Sequence, residues 1–394
     1  MSSCPRCGYS NPAKYSTGGK ASAIKKVGAI AGISVIVVVA AFFLIQKIPL
    51  PTVSVSDQIT TAEENLPTND AGSITDSKEN VEKVNEDDEI PSSPSPLTQI
   101  FQPSKPSLDE LRQYALQKIN DDRAKFDLPP VQLSYNEAAQ VHAENVFETK
   151  KISHWMTNGE KPYMTYSRYG GLGEVGQNVA VEGYTKDDAT QCSYGLAMCT
   201  HINPKGAIDR AEYDMMYNYK ECCDEGHRDN ILDKSHTHVS LGIMYDNYYF
   251  AYVQNFENQY VSWSQPIVYD ENSKKVSMSG VLADDVTLDV INLFFDPLPT
   301  PAIYEQHADD KSYGLGDIAA VVVEPPPPGS YYNETNEHVL VVSETWRIDD
   351  NSFEMTFSMD KAYAKYGSGV YTVVIFVNDG SEGFSVTNTS LFIK

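Results

Sequence analysis

The sequence predicts an α+β chain in which an anchoring helix and a disordered stalk lead into a mixed helix-and-strand domain and then an all-β, immunoglobulin-like sandwich. Three observations carry this. An uncharged apolar run, VGAIAGISVIVVVAAFFLI, occupies residues 27–45. Between 107 and 258, segments with helical apolar spacing come first and runs rich in β-branched and aromatic residues come last. Beyond Ser262, short strands follow one another between turns marked by Pro and Gly. The parts are read as 1–24, a tail; 25–47, the anchor; 48–106, the stalk; 107–260, the mixed domain; and 261–394, the sandwich.

The apolar run is long enough to cross a bilayer core of roughly 30 Å at about 1.5 Å per helical residue. A cleaved signal peptide is the rival reading, but its apolar region usually covers only about 7–15 residues. Lys20, Lys25 and Lys26 precede the run closely and only Lys47 follows it closely, so residues 1–24 are expected in the cytoplasm and the rest outside a single-pass cell-membrane protein. Before residue 57 there are six basic residues and no acidic one, which puts a net −30 on the remainder of a chain whose total is −24. A body that acidic repels phosphate backbones and anionic head groups, which excludes nucleic acid and peripheral membrane binding.

Cys4 and Cys7 form Cys-Pro-Arg-Cys-Gly in the tail, half of a zinc knuckle. With no second pair before the anchor, it either completes a zinc site by self-association with another copy or holds no metal. Cys192, Cys199, Cys222 and Cys223 fall in the exported part, where an even count reads as two disulfides. The Ser-, Pro- and Glu-rich residues of the stalk cannot bury enough surface to offset their ordering entropy.

In the mixed domain, Ser107 is placed to cap a helix carrying Leu108, Leu111, Ala115 and Ile119 at helical spacing. A second amphipathic segment, LSYNEAAQVHAENVFE, begins near Ser134, a third helix lies around 209–219, and a short one holds HRDNIL. HVSLGIMYD and YYFAYVQNFE read as strands. In the sandwich, Phe353, Met355, Phe357 and Met359 alternate strictly with polar residues, the pattern of a strand with one buried face. Asn333 and Asn388 open N-glycosylation tripeptides. No catalytic cluster is visible there, and a spacer or adhesion role is the simplest reading.

Ser153-His154-Trp155, Gly176-Gln177-Asn178-Val179-Ala180, Gly226-His227-Arg228-Asp229-Asn230-Ile231-Leu232 and Tyr252-Val253-Gln254-Asn255-Phe256 occur in that order. Together they resemble the CAP superfamily, the cysteine-rich secretory, antigen-five and pathogenesis-related class one proteins, in its prokaryotic SCP-domain form, over roughly 107–258. The resemblance implies an α-β-α sandwich with a cleft in which many members gather two histidines and two acidic residues, a tetrad able to hold zinc or another divalent metal. His154 matches the first histidine and His227 the second. Gln177 stands where a glutamate is expected, and a neutral amide is neither a general base nor a good metal ligand. Glu212 and Asp214 lie in the helix that would carry the other acid.

Outside that resemblance, His154 and His227 are as readily buried histidines satisfied by the backbone. His142 reads as structural, His238 as packing, and Arg228 and Asp229 as fold maintenance. Vicinal cysteines bond each other only with strain, so Cys222 and Cys223 are each expected to pair with Cys192 or Cys199, with a cysteine-rich metal site including His227 as the alternative. Tyr163, Tyr166 and Tyr169 are expected to roof the cleft. The leading functional expectation is binding of an extracellular lipid, glycan or peptide; a metal-dependent hydrolase using His154 and His227 and a purely structural surface protein are the others. No serine or cysteine sits in a nucleophile motif, so an enzyme is the weaker expectation.

Overall fold

The computed structural model describes residues 7–9, 105–195, 198–218, 226–332 and 339–394. The expected anchor, most of the stalk, Cys4, Cys222, Cys223 and Asn333 lie outside them. Among the described residues no helix is long and apolar enough to cross a membrane.

Helix α1 (Leu108–Ala124) starts where the sequence places it. Ser107 and Glu110 form a reciprocal capping box, and Leu111, Ala115 and Ile119 are fully buried. Burying a Leu or Ile side chain contributes about 1.5–3 kcal/mol, so this stripe is what fixes the helix. The second helix, α2 (Ala138–Thr149), begins later than its sequence pattern, because Gln132–Ser134 forms a strand, β2, and Asn136 Oδ1 accepts from the Ala138 amide. Helix α3 (Pro162–Arg168) follows, then strand β3 (Glu174–Gly183), α4 (Lys186–Ser193), α5 (Pro204–Tyr217), α6 (Gly226–Ile231), β4 (His238–Tyr245) and β5 (Tyr249–Asn258).

These strands make one sheet in the order Cys7–Tyr9 (β1), β3, β5, β4, β2, antiparallel except for β2 on β4. Side chains alternate across it. On one face Val179, Ala251 and Val253 pack with Ala139, Ala143 and Val146 of α2. On the other, Val239, Leu241, Ile243, Tyr252 and Phe256 pack with α1, α5 and Ile231 of α6. The result is a helix-sheet-helix layering. Gly242 marks how closely α2 sits, since a Cβ there would lie 1.9 Å from the Ala139 carbonyl oxygen.

Two residues after β5, the second half begins with β6 (Val261–Asp270). A four-stranded sheet, β11 (Thr345–Asp349), β12 (Ser352–Ser358), β7 (Lys275–Leu282), β6, faces a five-stranded one. The latter runs β10 (Val339–Val342), β9 (Asp317–Val323), β8 (Thr287–Asp296), β13 (Gly369–Asn378), β14 (Gly383–Ile393). One core joins the sheets, including Phe353, Met355, Phe357 and Met359 from the alternating segment. The all-β expectation needs two additions: helices α7 (Pro301–His307) and α8 (Asp360–Tyr366), and a parallel edge pair of β9 with β10. The run HVLVVSETW also divides, β10 joining one sheet and β11 the other.

Candidate functional site

Both halves belong to one compact unit, and what sits between them decides what the cleft can do. Asp296, at the end of β8, accepts from Tyr163 Oη at 2.6 Å and Lys161 Nζ at 2.7 Å. Arg168 lies over the ring of Phe392, and Ser167 Oγ accepts from the Ser390 amide. Trp155 stacks on His307 of α7 with ring centroids 5.3 Å apart. Tyr313, from the loop after α7, lies with its ring centroid 5.1 Å from that of His154. The sandwich therefore covers the segment carrying Ser153-His154-Trp155, and His154 is fully buried.

Two of the three expected roof tyrosines are core residues. Tyr163 and Tyr166 are buried, the first held by Asp296 and the second donating to Glu257 Oε2 at 2.9 Å, while Tyr169 alone is exposed. A phenol that donates to a carboxylate is fixed in direction and cannot swing over a ligand. Sequence reading missed Asp296, His307 and Tyr313 because nothing local marks them; they become neighbours of the cleft only when the halves pack.

His154 Nδ1 lies 3.0 Å from Gln177 Oε1, and Gln177 Nε2 donates to Asn255 Oδ1 at 3.1 Å. Gln177, Asn255 and Ser240 are register partners across β3, β5 and β4, forming a buried polar row on the α2 side. The Oε1 contact makes Nδ1 a protonated nitrogen of the ring. The structure thus joins His154 to Gln177, as the motifs imply.

Glu212 goes elsewhere. Its Oε1 accepts from Tyr252 Oη at 2.7 Å and from Gln254 Nε2 at 2.6 Å. Tyr252 and Gln254 are even-numbered positions of β5, opposite in face to Asn255, so Glu212 and His154 stand on opposite sides of the sheet. Burial pushes the Glu212 carboxyl up to about 8, ahead of the lowering effect of the Tyr252 hydrogen bond. At neutral pH it is largely a protonated acid, with neither the charge nor the position of a tetrad carboxylate.

The GHRDNIL and GQN motifs have a structural meaning of their own. Asn178 Nδ2 donates to the His227 carbonyl at 3.2 Å and to Gln254 Oε1 at 2.9 Å, and Asn230 Nδ2 donates to Asn178 Oδ1 at 3.1 Å. This clamp ties α6 to the sheet. Gly176 must be glycine because a Cβ would fall 2.6 Å from Asn230 Oδ1. His227 is buried at the start of α6. Arg228 lies over the Phe126 ring at 5.0 Å, and the buried guanidinium that secures the end of α6 is Arg123, donating to the Ile231 and Asp233 carbonyls at 2.8 Å.

Three other histidines are structural. His142 Nε2 donates to the Ser153 carbonyl at 2.8 Å, and burial lowers its pKa to about 4. His236 is buried between Asn258 and Asn230. His238 is half-buried beside Thr237.

Residues 116–256 match the family model described as the cysteine-rich secretory protein family, CAP. This segment, under half of the chain, is similar to a CAP domain. Its strands and helices supply the layering and the motif order described above. A similar solved structure is that of an extracellular protein containing an SCP domain from Bacillus anthracis str. Ames, 18% identical, with a TM-score of 0.27. The match covers 39% of this chain and 45% of that one, so the chain spans less than half of that protein's length. No curated protein matches.

The CAP domain departs from the sequence reading in its cysteines. Cys192 and Cys199 bond each other, with Cα atoms 5.7 Å apart, instead of each reaching Cys222 or Cys223. Both flank one short loop at the end of α4, so closing it costs little chain entropy, whereas the expected pairing requires a longer closure. Glycosylation at Asn388 is also set aside, because the side chain is buried and donates to the Val175 carbonyl at 3.3 Å. Among the described residues, no group of three or more His, Cys, Asp and Glu stands together as a metal site. Gln177, the group beside His154 Nδ1, is a neutral amide and a poor ligand for a divalent metal.

Proposed function

We propose that the chain is a single-pass, membrane-anchored CAP-domain protein whose extracellular body binds a ligand or partner rather than hydrolysing one. The observation that carries the binding reading is the His154–Gln177 contact with Glu212 on the far face of the sheet. Hydrolysis needs a base or an activated water, and a histidine facing a neutral amide under a covering domain supplies neither readily. The experiment is elemental analysis of the full-length chain with Cys4 and Cys7 changed to serine, so that tail zinc does not interfere. Less than one tenth of a zinc per chain (about that level or below) is expected. Near-stoichiometric zinc that disappears in His154→Ala would put the metal-dependent hydrolase first.

The anchor reading rests on residues 27–45 and their flanking lysines. It competes with strand β1, because Cys7–Tyr9 paired to β3 and a cytoplasmic tail place the same residues on opposite sides of a bilayer. Three edge residues make a weak pairing, whereas leaving 19 uncharged, mainly apolar residues in water is costly. We therefore assign residues 1–24 to the cytoplasm, with Cys4 and Cys7 available for zinc shared with a second copy. Protease protection of an N-terminal tag in intact cells tests this; a tag that is cleaved from outside would reverse it.

A further inference from the structure

We propose that the cavity at the junction of the CAP domain and the sandwich binds a small organic amine, with its primary ammonium group against Glu257. This deepens the binding reading and rests on it, but it uses a different place from the His154 cleft. The cavity holds roughly 420 Å³ and is lined from both halves, by Tyr166, Tyr169, Glu257, Gln259, Tyr260 and Trp263 among others. Ligand pockets usually enclose about 300–1,000 Å³, so a monosaccharide-sized molecule fits.

Glu257 is the group that selects the ligand. It is 1% exposed. Its Oε2 accepts from Tyr166 Oη at 2.9 Å and from Gln259 Nε2 at 2.7 Å, while Oε1, equally buried, has no hydrogen-bond partner. Buried acceptors are nearly always satisfied, so an unpartnered one on a residue that lines a cavity marks a place where a donor belongs. Among the described residues, no lysine or arginine lines the cavity and none offers Oε1 a donor.

The site is also built rather than left over. Tyr166 reaches Glu257 only because residue 171 is glycine: a Cβ there would lie 2.3 Å from the Tyr166 ring. Tyr260 packs edge-on against Phe384 and Trp263 against Phe353, which fixes both rings from behind. A carboxylate oxygen with aromatic walls favours a cation that also donates. Charge-assisted hydrogen bonds are roughly twice as strong as neutral ones, and aromatic faces attract ammonium groups. A quaternary ammonium lacks the N–H that Oε1 needs. The net charge of −24 draws cations toward the body.

The test uses the full-length chain in mild detergent, titrated calorimetrically with cadaverine, glucosamine, N-acetylglucosamine and glucose. Binding of at least one amine, with no binding of the two neutral sugars, is expected. Which amine binds tells an aliphatic source from an amino sugar. Glu257→Gln should weaken binding at least about tenfold. Tyr169→Ala, at an exposed position that keeps the fold, should weaken it by a few-fold, and it carries the test if Glu257→Gln fails to fold. The proposal is overturned if neither amine binds up to about 10 mM, if N-acetylglucosamine binds as well as glucosamine, or if folded Glu257→Gln binds as the parent does. Absent amine binding in a zinc-free chain removes this pocket and leaves the binding reading. Amine binding in a zinc-loaded, hydrolytic chain keeps the pocket and removes that reading.

Discussion

His154 and Gln177 meet through Nδ1 and Oε1 at 3.0 Å beneath the ring of Tyr313, which belongs to the other half of the chain. A carboxylate in place of that amide would favour a charged or metal-bound imidazole; the amide brings no charge to do so. Gln177→Glu is therefore expected to raise the zinc content of the Cys4→Ser, Cys7→Ser chain above that of its parent. Elemental analysis at equal protein concentration checks it, and unchanged zinc would mean that the cleft lacks the other donors as well.

The Cys192–Cys199 bridge should appear as a single linked peptide in non-reducing digests, with Cys222 and Cys223 absent from it. Replacing both with serine should lower stability by about 2–3 kcal/mol, the amount expected for so short a loop. A peptide linking Cys192 or Cys199 to Cys222 or Cys223 would restore the pairing that vicinal-cysteine strain suggests.

Asp296 joins the halves by accepting from Tyr163 and Lys161, both largely shielded from water. Asp296→Ala leaves Lys161 without its buried partner, a loss of about 3 kcal/mol or more. Chemical denaturation should then show two transitions where the parent shows one, since the CAP domain and the sandwich would no longer unfold together.

Stability should fall as pH rises through the neutral range. Burial holds Glu174 and Glu212 up to about 8, far above an exposed glutamate, so the folded chain binds more protons than the unfolded one between about 4.5 and 8. Their contribution is full below the lower value and lost through the upper. His142 acts in the other direction: lowered to about 4, it contributes above about 6.5 and that contribution is lost as pH falls toward 4. Between about 4.5 and 6.5 the two oppose each other, and above 6.5 the acids act alone. Glu212→Gln should flatten the decline from pH 7 to 9, measured as the urea midpoint; an unchanged slope would place the titration elsewhere.

Gly242→Ala should be among the most damaging single substitutions in the CAP domain, because the new methyl meets the Ala139 carbonyl oxygen at 1.9 Å and α2 must move off the sheet. Overpacking of this kind costs about 1–3 kcal/mol and sometimes more. Thermal unfolding of the variant against Ala143→Gly, which opens space in the same layer, separates overpacking from general sensitivity.

What the sequence determined alone is what depends on neighbours in the chain. Ser107 and Glu110 are three residues apart, so their capping box is legible. Alternation from Phe353 to Met359 is a local period, and so is the helical spacing of Leu111, Ala115 and Ile119. The motif order around His154, Gln177 and His227 was equally visible, and with it the CAP domain. Where side chains meet across the sheet was decided only in three dimensions. Glu212 lies in the helix expected of a second acid, yet a sheet stands between it and His154, and no spacing in the chain records which face a helix will cover. The burial of Tyr163 and the nearness of Tyr313 to His154 arise where residues more than one hundred positions apart pack together, and Tyr166 reaches Glu257 from 91 positions away. Local patterns carry periodicity and capping, whereas burial and partner choice are properties of the whole packed chain, and the candidate sites of this protein are made of those.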